Sequence, residues 1–192
     1  MATLRERRRA ETRREIGERA AELFERQGFA ATTVEEIAEA AGISLRTFYR
    51  HCPVKEEALT PLLIQGVFDL AGELARQPED EPLAVAARAA ILRSAAHHDD
   101  AFWRRVVPVV LAEPALRASW LSAGRQAQET LIPLVADRLG CAETALRARV
   151  TAGLLINVAT TVVEHWAGTD AATPLDAVVA EAFEAAAAFG TD

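Results

Sequence analysis

Apolar residues recur along this chain at helical spacing. Ile16, Ala20, Leu23 and Phe24 stand at i, i+4, i+7 and i+8 with arginine and glutamate between them, predicting an amphipathic helix that stops at Gln27 and Gly28. Thr33 to Glu36 then spells a capping box, with Thr33 as N-cap and Glu36 reaching back. It opens a short helix whose apolar face is Val34, Ile37, Ala38 and Ala41. Gly42 breaks that helix, and Ser44 can cap a third from Leu45 to His51. Two short helices joined by a tight glycine turn form a helix-turn-helix pattern: Ala38 is small enough for close packing, Gly42 tolerates positive φ, and Phe48 plugs the core.

Six further helices follow. The fourth runs from Glu56 to about Gln77, with Pro61 in its first turns, and Pro82 opens a fifth that reaches Ala96. The sixth spans Asp100 to Ala112 with a break or kink at Pro108. Pro114 starts the seventh, which bends at Pro133 and stops at Gly140. The eighth spans Ala142 to Trp166, and Pro174 opens a ninth that ends near Phe189. β-Branched residues cluster in few runs and no Asn-Gly or Asp-Gly turn separates alternating segments, so the expected fold class is all-α, with about nine helices.

Charge divides the 192 residues unevenly. The net charge is −7, yet residues 1–60 hold eleven Lys/Arg against eleven Asp/Glu, so the whole deficit falls in the remainder. Arg5, Arg7, Arg8, Arg9, Arg13 and Arg14 face only Glu6 and Glu11 within the first fourteen residues. This arrangement implies a polyanion-binding head on an acidic body, against the plainer alternative of a solvated helix start. Cys52 and Cys141 lie far apart with no CxxC, which fits a reduced, cytoplasmic setting. The charged N-terminus lacks the apolar stretch of a signal peptide, and the longest uncharged run, Val150 to Val163, is shorter than the ~20 residues of a membrane span.

The third helix carries the candidate chemistry. Leu45, Phe48 and Cys52 share its core side by spacing, while the i,i+4 pairs Arg46/Arg50 and Thr47/His51 point away and Tyr49 sits at the border. A face of Arg, Thr, Tyr, Arg and His suits a DNA major groove: arginine can bond guanine bidentately, threonine can offer a methyl or hydroxyl, and tyrosine and histidine can reach bases or phosphates. The bland alternative is a surface helix that meets only water.

The stretch AAELFERQGFAATTVEEIAEAAGISLRTFYRHCPVKEEAL, within Glu11 to Leu63, resembles the N-terminal DNA-binding domain of the tetracycline-repressor (TetR) family of bacterial one-component regulators. The resemblance implies a DNA-binding domain over residues 1–55 and a helical effector-binding and dimerisation domain over 56–192. It places the third helix in the major groove, with Ser44, Leu45, Arg46, Thr47, Tyr49, Arg50 and His51 at or beside bases and phosphates. Thr33 and Lys55 would hold the DNA backbone; the early arginines, by their charge alone, are expected to act on phosphates as well. Leu45 remains open at this point, since periodicity assigns it to the core and the resemblance to DNA. Val54 stands where the family usually has a capping Ser or Asn and offers no capping oxygen.

The eighth and ninth helices say most about assembly. Val150 to Val163 is apolar nearly all round, so it needs cover on every side. That cover is either the chain's own core or, as the resemblance implies, a second subunit in a homodimer. The interface candidates are Gly153, Ile156, Thr160, Val163, Val178, Ala182 and Phe189. The family binds a small organic effector among the body helices, for which Gln65, Phe68, Phe102, Trp103, Trp120 and Asn157 are the candidates. The implied function is a transcriptional regulator, a repressor that leaves a pseudo-palindromic double-stranded DNA operator when the effector binds, without catalytic residues, cofactor or metal. Two alternatives compete with this reading. One is a helical metal-dependent enzyme using the region His97 to Asp100, although adjacent helical residues diverge by about 100° and no HExxH accompanies them. The other is a helical adaptor without DNA contact, for which Arg46→Ala would change nothing.

Overall fold

The computed structural model describes residues 4–96 and 100–188, and among them finds nine α-helices and no strand. The chain divides into two compact units, residues 1–65 with 109–123 and residues 66–108 with 124–192.

In the first unit α1 (Leu4–Gln27), α2 (Val34–Ala40) and α3 (Leu45–His51) pack pairwise on one another. Their apolar stripes meet at Ile16, Ala20, Leu23, Phe24, Ile37, Ala38 and Phe48, all buried. The Phe24 ring also meets Phe29 edge-on at 5.0 Å between centroids. Gly17 lets the following chain come close, since a Cβ there would lie 2.9 Å from Leu62 Cγ. Gly42 takes φ +64° in the turn between α2 and α3, a conformation that side chains with a Cβ rarely adopt. The predicted caps form: Glu36 N–H donates to Thr33 Oγ1 while Thr33 N–H donates to Glu36 Oε2, and Thr47 N–H donates to Ser44 Oγ.

The fourth helix begins later than expected. Val54 makes no side-chain cap, and Lys55–Glu57 turns as a 3₁₀ segment; α4 (Thr60–Arg76) starts only where Pro61 supplies a preset φ in the first turn.

The second unit contains most of α4, α5 (Leu83–Ala95), α8 (Leu146–Gly168), α9 (Leu175–Ala188) and the greater parts of α6 (Asp100–Ala112) and α7 (Pro114–Leu139). α9 packs on α5 and α8. The buried cluster includes Leu74, Ala90, Leu131, Val135, Ala152, Val162, Trp166 and Val179. Helices α6 and α7 run through Pro108 and Pro133. α8 starts at Leu146, where the pattern predicts Ala142, because the intervening residues form a turn closed by Ala145 N–H to Ala142 O.

Two arginines tie this unit together through backbone carbonyls. Arg104 donates to the carbonyls of Trp166, Thr169 and Thr173 at 2.9–3.1 Å, and its guanidinium stacks 4.0 Å from the Trp166 ring. Arg138 donates to the carbonyls of Leu74, Gln77 and Pro78. A planar, multi-donor cation suits this role, because one side chain satisfies several carbonyls left over at helix ends.

Candidate nucleic-acid interface

α3 is fixed at both ends before it presents any side chain. Ser44 caps its start and shares a hydroxyl–hydroxyl bond with Thr47 at 3.0 Å. Phe48 anchors its middle, fully buried, with the Tyr49 ring edge-on at 5.7 Å. What remains exposed on this short rod is Ser44, Leu45, Arg46, Tyr49 and Arg50, with Thr47 half-buried. Neither Arg46 nor Arg50 has an acidic partner among the described residues, so both guanidiniums keep their donors for an external acceptor. Leu45 is 39% exposed, which settles its ambiguity: in the first turn the residue three before Phe48 lies at the rim of the core.

One assignment on α3 is corrected. His51 is 8% exposed and lies inside the unit, not on the reading face. It sits three residues after Phe48 and beside Cys52, so the last turn of α3 rolls it onto the core side. Its Nδ1 is buried without a hydrogen-bond partner. Burial, with the charges of Arg50, Arg9 and Arg13, holds the imidazole below its ordinary pKa. The adjacent Cys52 thiol is pushed up to about 11 by burial, so it remains a protonated packing group.

Lys55 has a role within the head that spacing did not suggest. Its ammonium donates to Phe29 O at 2.7 Å and Thr32 O at 2.8 Å, and lies 4.1 Å from the Phe29 ring centroid. Two of its three donors close the turn between α1 and α2, and one donor is left over on a half-buried side chain. Thr33 is exposed, but its hydroxyl is engaged by Glu36 in the cap. The Glu36 carboxyl is held below the usual range, chiefly by the Thr33 backbone N–H.

The effector candidates are divided between the two units. Gln65 and Trp120 belong to the first unit, whereas Phe68, Phe102, Trp103 and Asn157 belong to the second. Phe68 and Asn157 are exposed, and Phe102 meets Trp103 edge-on at 5.8 Å. A cavity of about 10 Å³ in the second unit is lined instead by Leu70, Leu74, Ala87, Ile91, Leu131 and Leu155. The sequence gives no sign of this cavity, because ordinary core leucines and alanines carry no signal of a gap beside them.

The interface candidates need the same sorting. Gly153, Ile156, Thr160, Val163 and Ala182 are half-buried, and Ile156 and Ala182 pack on the unit's own core. Val178 is buried in that core, so it is corrected to an interior residue. Phe189 lies outside the described residues. The exposed apolar stripe of α8 is Leu146, Val150 and Leu154, at i, i+4 and i+8, 76%, 50% and 57% exposed. A helix apolar all round hides which side is uncovered, and only the packing of α9 reveals it. His97 also lies outside the described residues, as does the side chain of Asp100.

Residues 16–59 match the family described as bacterial regulatory proteins, tetR family, and residues 81–189 match that described as MftR C-terminal domain. The chain is 35% identical over 145 residues to the HTH-type transcriptional regulator TcmR of Streptomyces glaucescens, covering 71% of this chain and 64% of TcmR, less than two thirds of that relative's length. It is 30% identical over 162 residues to MftR of Mycobacterium tuberculosis, named for transcriptional regulation in mycofactocin biosynthesis, covering 83% and 82% of the two chains. The fold is similar to the crystal structure of a tetR-family transcriptional regulator from Streptomyces coelicolor, with a TM-score of 0.59 at 20% identity, covering 92% of this chain and 81% of that one.

Proposed function

The chain belongs to the TetR family of bacterial regulatory proteins and is a DNA-binding transcriptional regulator, not an enzyme; from that premise we propose that it is a homodimeric repressor released from its operator by a small organic molecule. In this reading residues 1–55 are the DNA-binding head and 56–192 the effector-binding and dimerisation body. The protein works in the cytoplasm, where its operator is. The observation that carries the proposal is the α3 face: Arg46, Tyr49 and Arg50 stand free on a helix locked by a buried Phe48 and a Ser44 cap. Preset geometry of this kind suits bidentate reading of base edges.

A single seven-residue helix contacts few base pairs, so two copies on related half-sites are needed for specificity. The uncovered stripe of α8 supports that pairing. α8 is 23 residues long with mean hydropathy 1.3, and 17% of its apolar stretch is buried; by length and composition alone it could cross a membrane. Family membership favours a second subunit as its cover, and the exposed Asn157 and Thr161 on the same helix suit a protein interface better than lipid.

The small leucine-lined cavity supports an apolar effector. Its lining offers no polar group to hold water, and at about 10 Å³ it must widen to admit any ligand. A ligand that prefers the widened body over the DNA-bound arrangement weakens operator affinity by linkage.

The deciding experiment is footprinting on genomic fragments recovered with the purified protein. Arg46→Ala or Tyr49→Ala is expected to abolish specific protection, each lost base contact costing about 1–3 kcal/mol, while sedimentation still reports a dimer. Protection equal to wild type in both variants refutes the assignment of α3.

A further inference from the structure

The family match begins at Ile16, but α1 begins at Leu4. The first twelve residues of α1 therefore extend about 18 Å as a helix ahead of the matched domain. The face of this extension follows from the helix that continues it. Arg5, Arg8, Arg9 and Arg13 stand at i, i+3, i+4 and i+8, and Ile16, at i+11, is the first fully buried residue of the same stripe. The side of α1 that packs into the head thus changes from apolar to cationic where the core ends. Arg7 and Arg14 lie on the opposite side of the helix.

This stripe continues towards the end of the reading helix. α1 packs on α3, and Arg13 is half-buried with its Nε out of contact with water. The charges of Arg9 and Arg13, with that of Arg50, act on His51 at the C-terminal end of α3. Arg5, Arg8 and Arg9 are exposed and have no acidic partner among the described residues; the nearby Glu15 is taken by Arg19, and Arg14 on the far side by Glu18. A row of exposed guanidiniums that leads towards the C-terminal end of α3 has phosphate as its complementary partner.

We propose that Arg5, Arg8 and Arg9 form a cationic rail that grips the phosphates of duplex DNA flanking the half-site read by α3. The rail rests on the assignment of α3 to the groove, and it adds a sequence-independent extension of the footprint. With about 18 Å of helix and about 3.4 Å per base pair, that extension reaches roughly five base pairs per head.

The test compares the full-length wild type with Arg5→Gln/Arg8→Gln/Arg9→Gln and with Arg7→Gln/Arg14→Gln. Binding is measured on the recovered operator with flanks trimmed to the half-sites or extended by six base pairs, across a salt series. Glutamine preserves helix propensity, and circular dichroism checks it. The triple variant is expected to lower the slope of log affinity against log salt by about 0.9 per lost contact, near 2.7 per head, and to lose the wild type's gain from extended flanks. The opposite-face variant is expected to change neither. A triple lysine variant is expected to keep the slope, since a point charge suffices at phosphate. An unchanged slope in the triple glutamine variant overturns the rail, as does an equal loss per charge from the opposite face. Wild type that binds no duplex at all overturns the α3 assignment itself, and with it the rail.

Discussion

The turn from α1 to α2 is closed by Lys55 on two carbonyls, whereas the helix ends of the second unit are closed by Arg104 and Arg138 on three carbonyls each. Both solve the same problem, since buried backbone groups at helix ends need partners. In the first unit the clamp supplements local devices: a capping box before α2, a serine cap before α3 and a glycine at positive φ between them. In the second unit α5 and α8 start without a side-chain cap, and their order rests on packing and on long-range arginine bonds. A reading head that must present side chains in one geometry benefits from locally determined turns. If the body admits a small molecule, as proposed, contacts that can shift serve it.

The largest test of this contrast is Trp166→Ala. It removes a buried indole, its Nε1 bond to Thr173 O and the platform under Arg104, and is expected to cost about 3–5 kcal/mol by chemical denaturation. A loss under 1 kcal/mol would show that the arginine carbonyl bonds hold the unit without the ring. Next comes Lys55→Met, which keeps the apolar stem over Phe29 but takes the ammonium from the Thr32 carbonyl and leaves Phe29 O with only the long bond from Thr32 N–H. The expected loss is about 1–3 kcal/mol, with the salt slope of operator binding unchanged. A drop in that slope with stability intact would instead return Lys55 to the phosphates.

The smallest effect is on pH. His51 in the folded head has a pKa below its ordinary value of 6.5, so between that value and the lowered one the unfolded chain binds the proton and the folded chain does not. The head is therefore fully stable above about pH 6.5, loses stability as the pH falls through this window, and levels off below it. Melting curves at stepped pH, set against His51→Leu, check this. Identical acid sensitivity in the two proteins would assign the loss to another group.

The cap residues made the starts of α2 and α3 legible to the residue, because Thr33, Glu36 and Ser44 act on neighbours three positions away. The same locality explains the misses. Helix α8 has no capping side chain at its start, so its first residue could not be placed. His51 and Thr47 look alike by spacing, and only the packing of α1 against α3 turned one inward. The α8 stripe of Leu146, Val150 and Leu154 was invisible in a helix apolar on all sides.

The order of amino acids alone determined the all-helical class, the turn geometry of the head and the arginines that stand free on α3, since each depends on interactions within about one helical turn. Tertiary structure decided that Lys55 bonds the turn between α1 and α2, that Val178 belongs to the core, which side of α8 stays bare and where the small cavity lies. Those outcomes depend on which distant segments meet, and burial is a property of the meeting surfaces rather than of either segment.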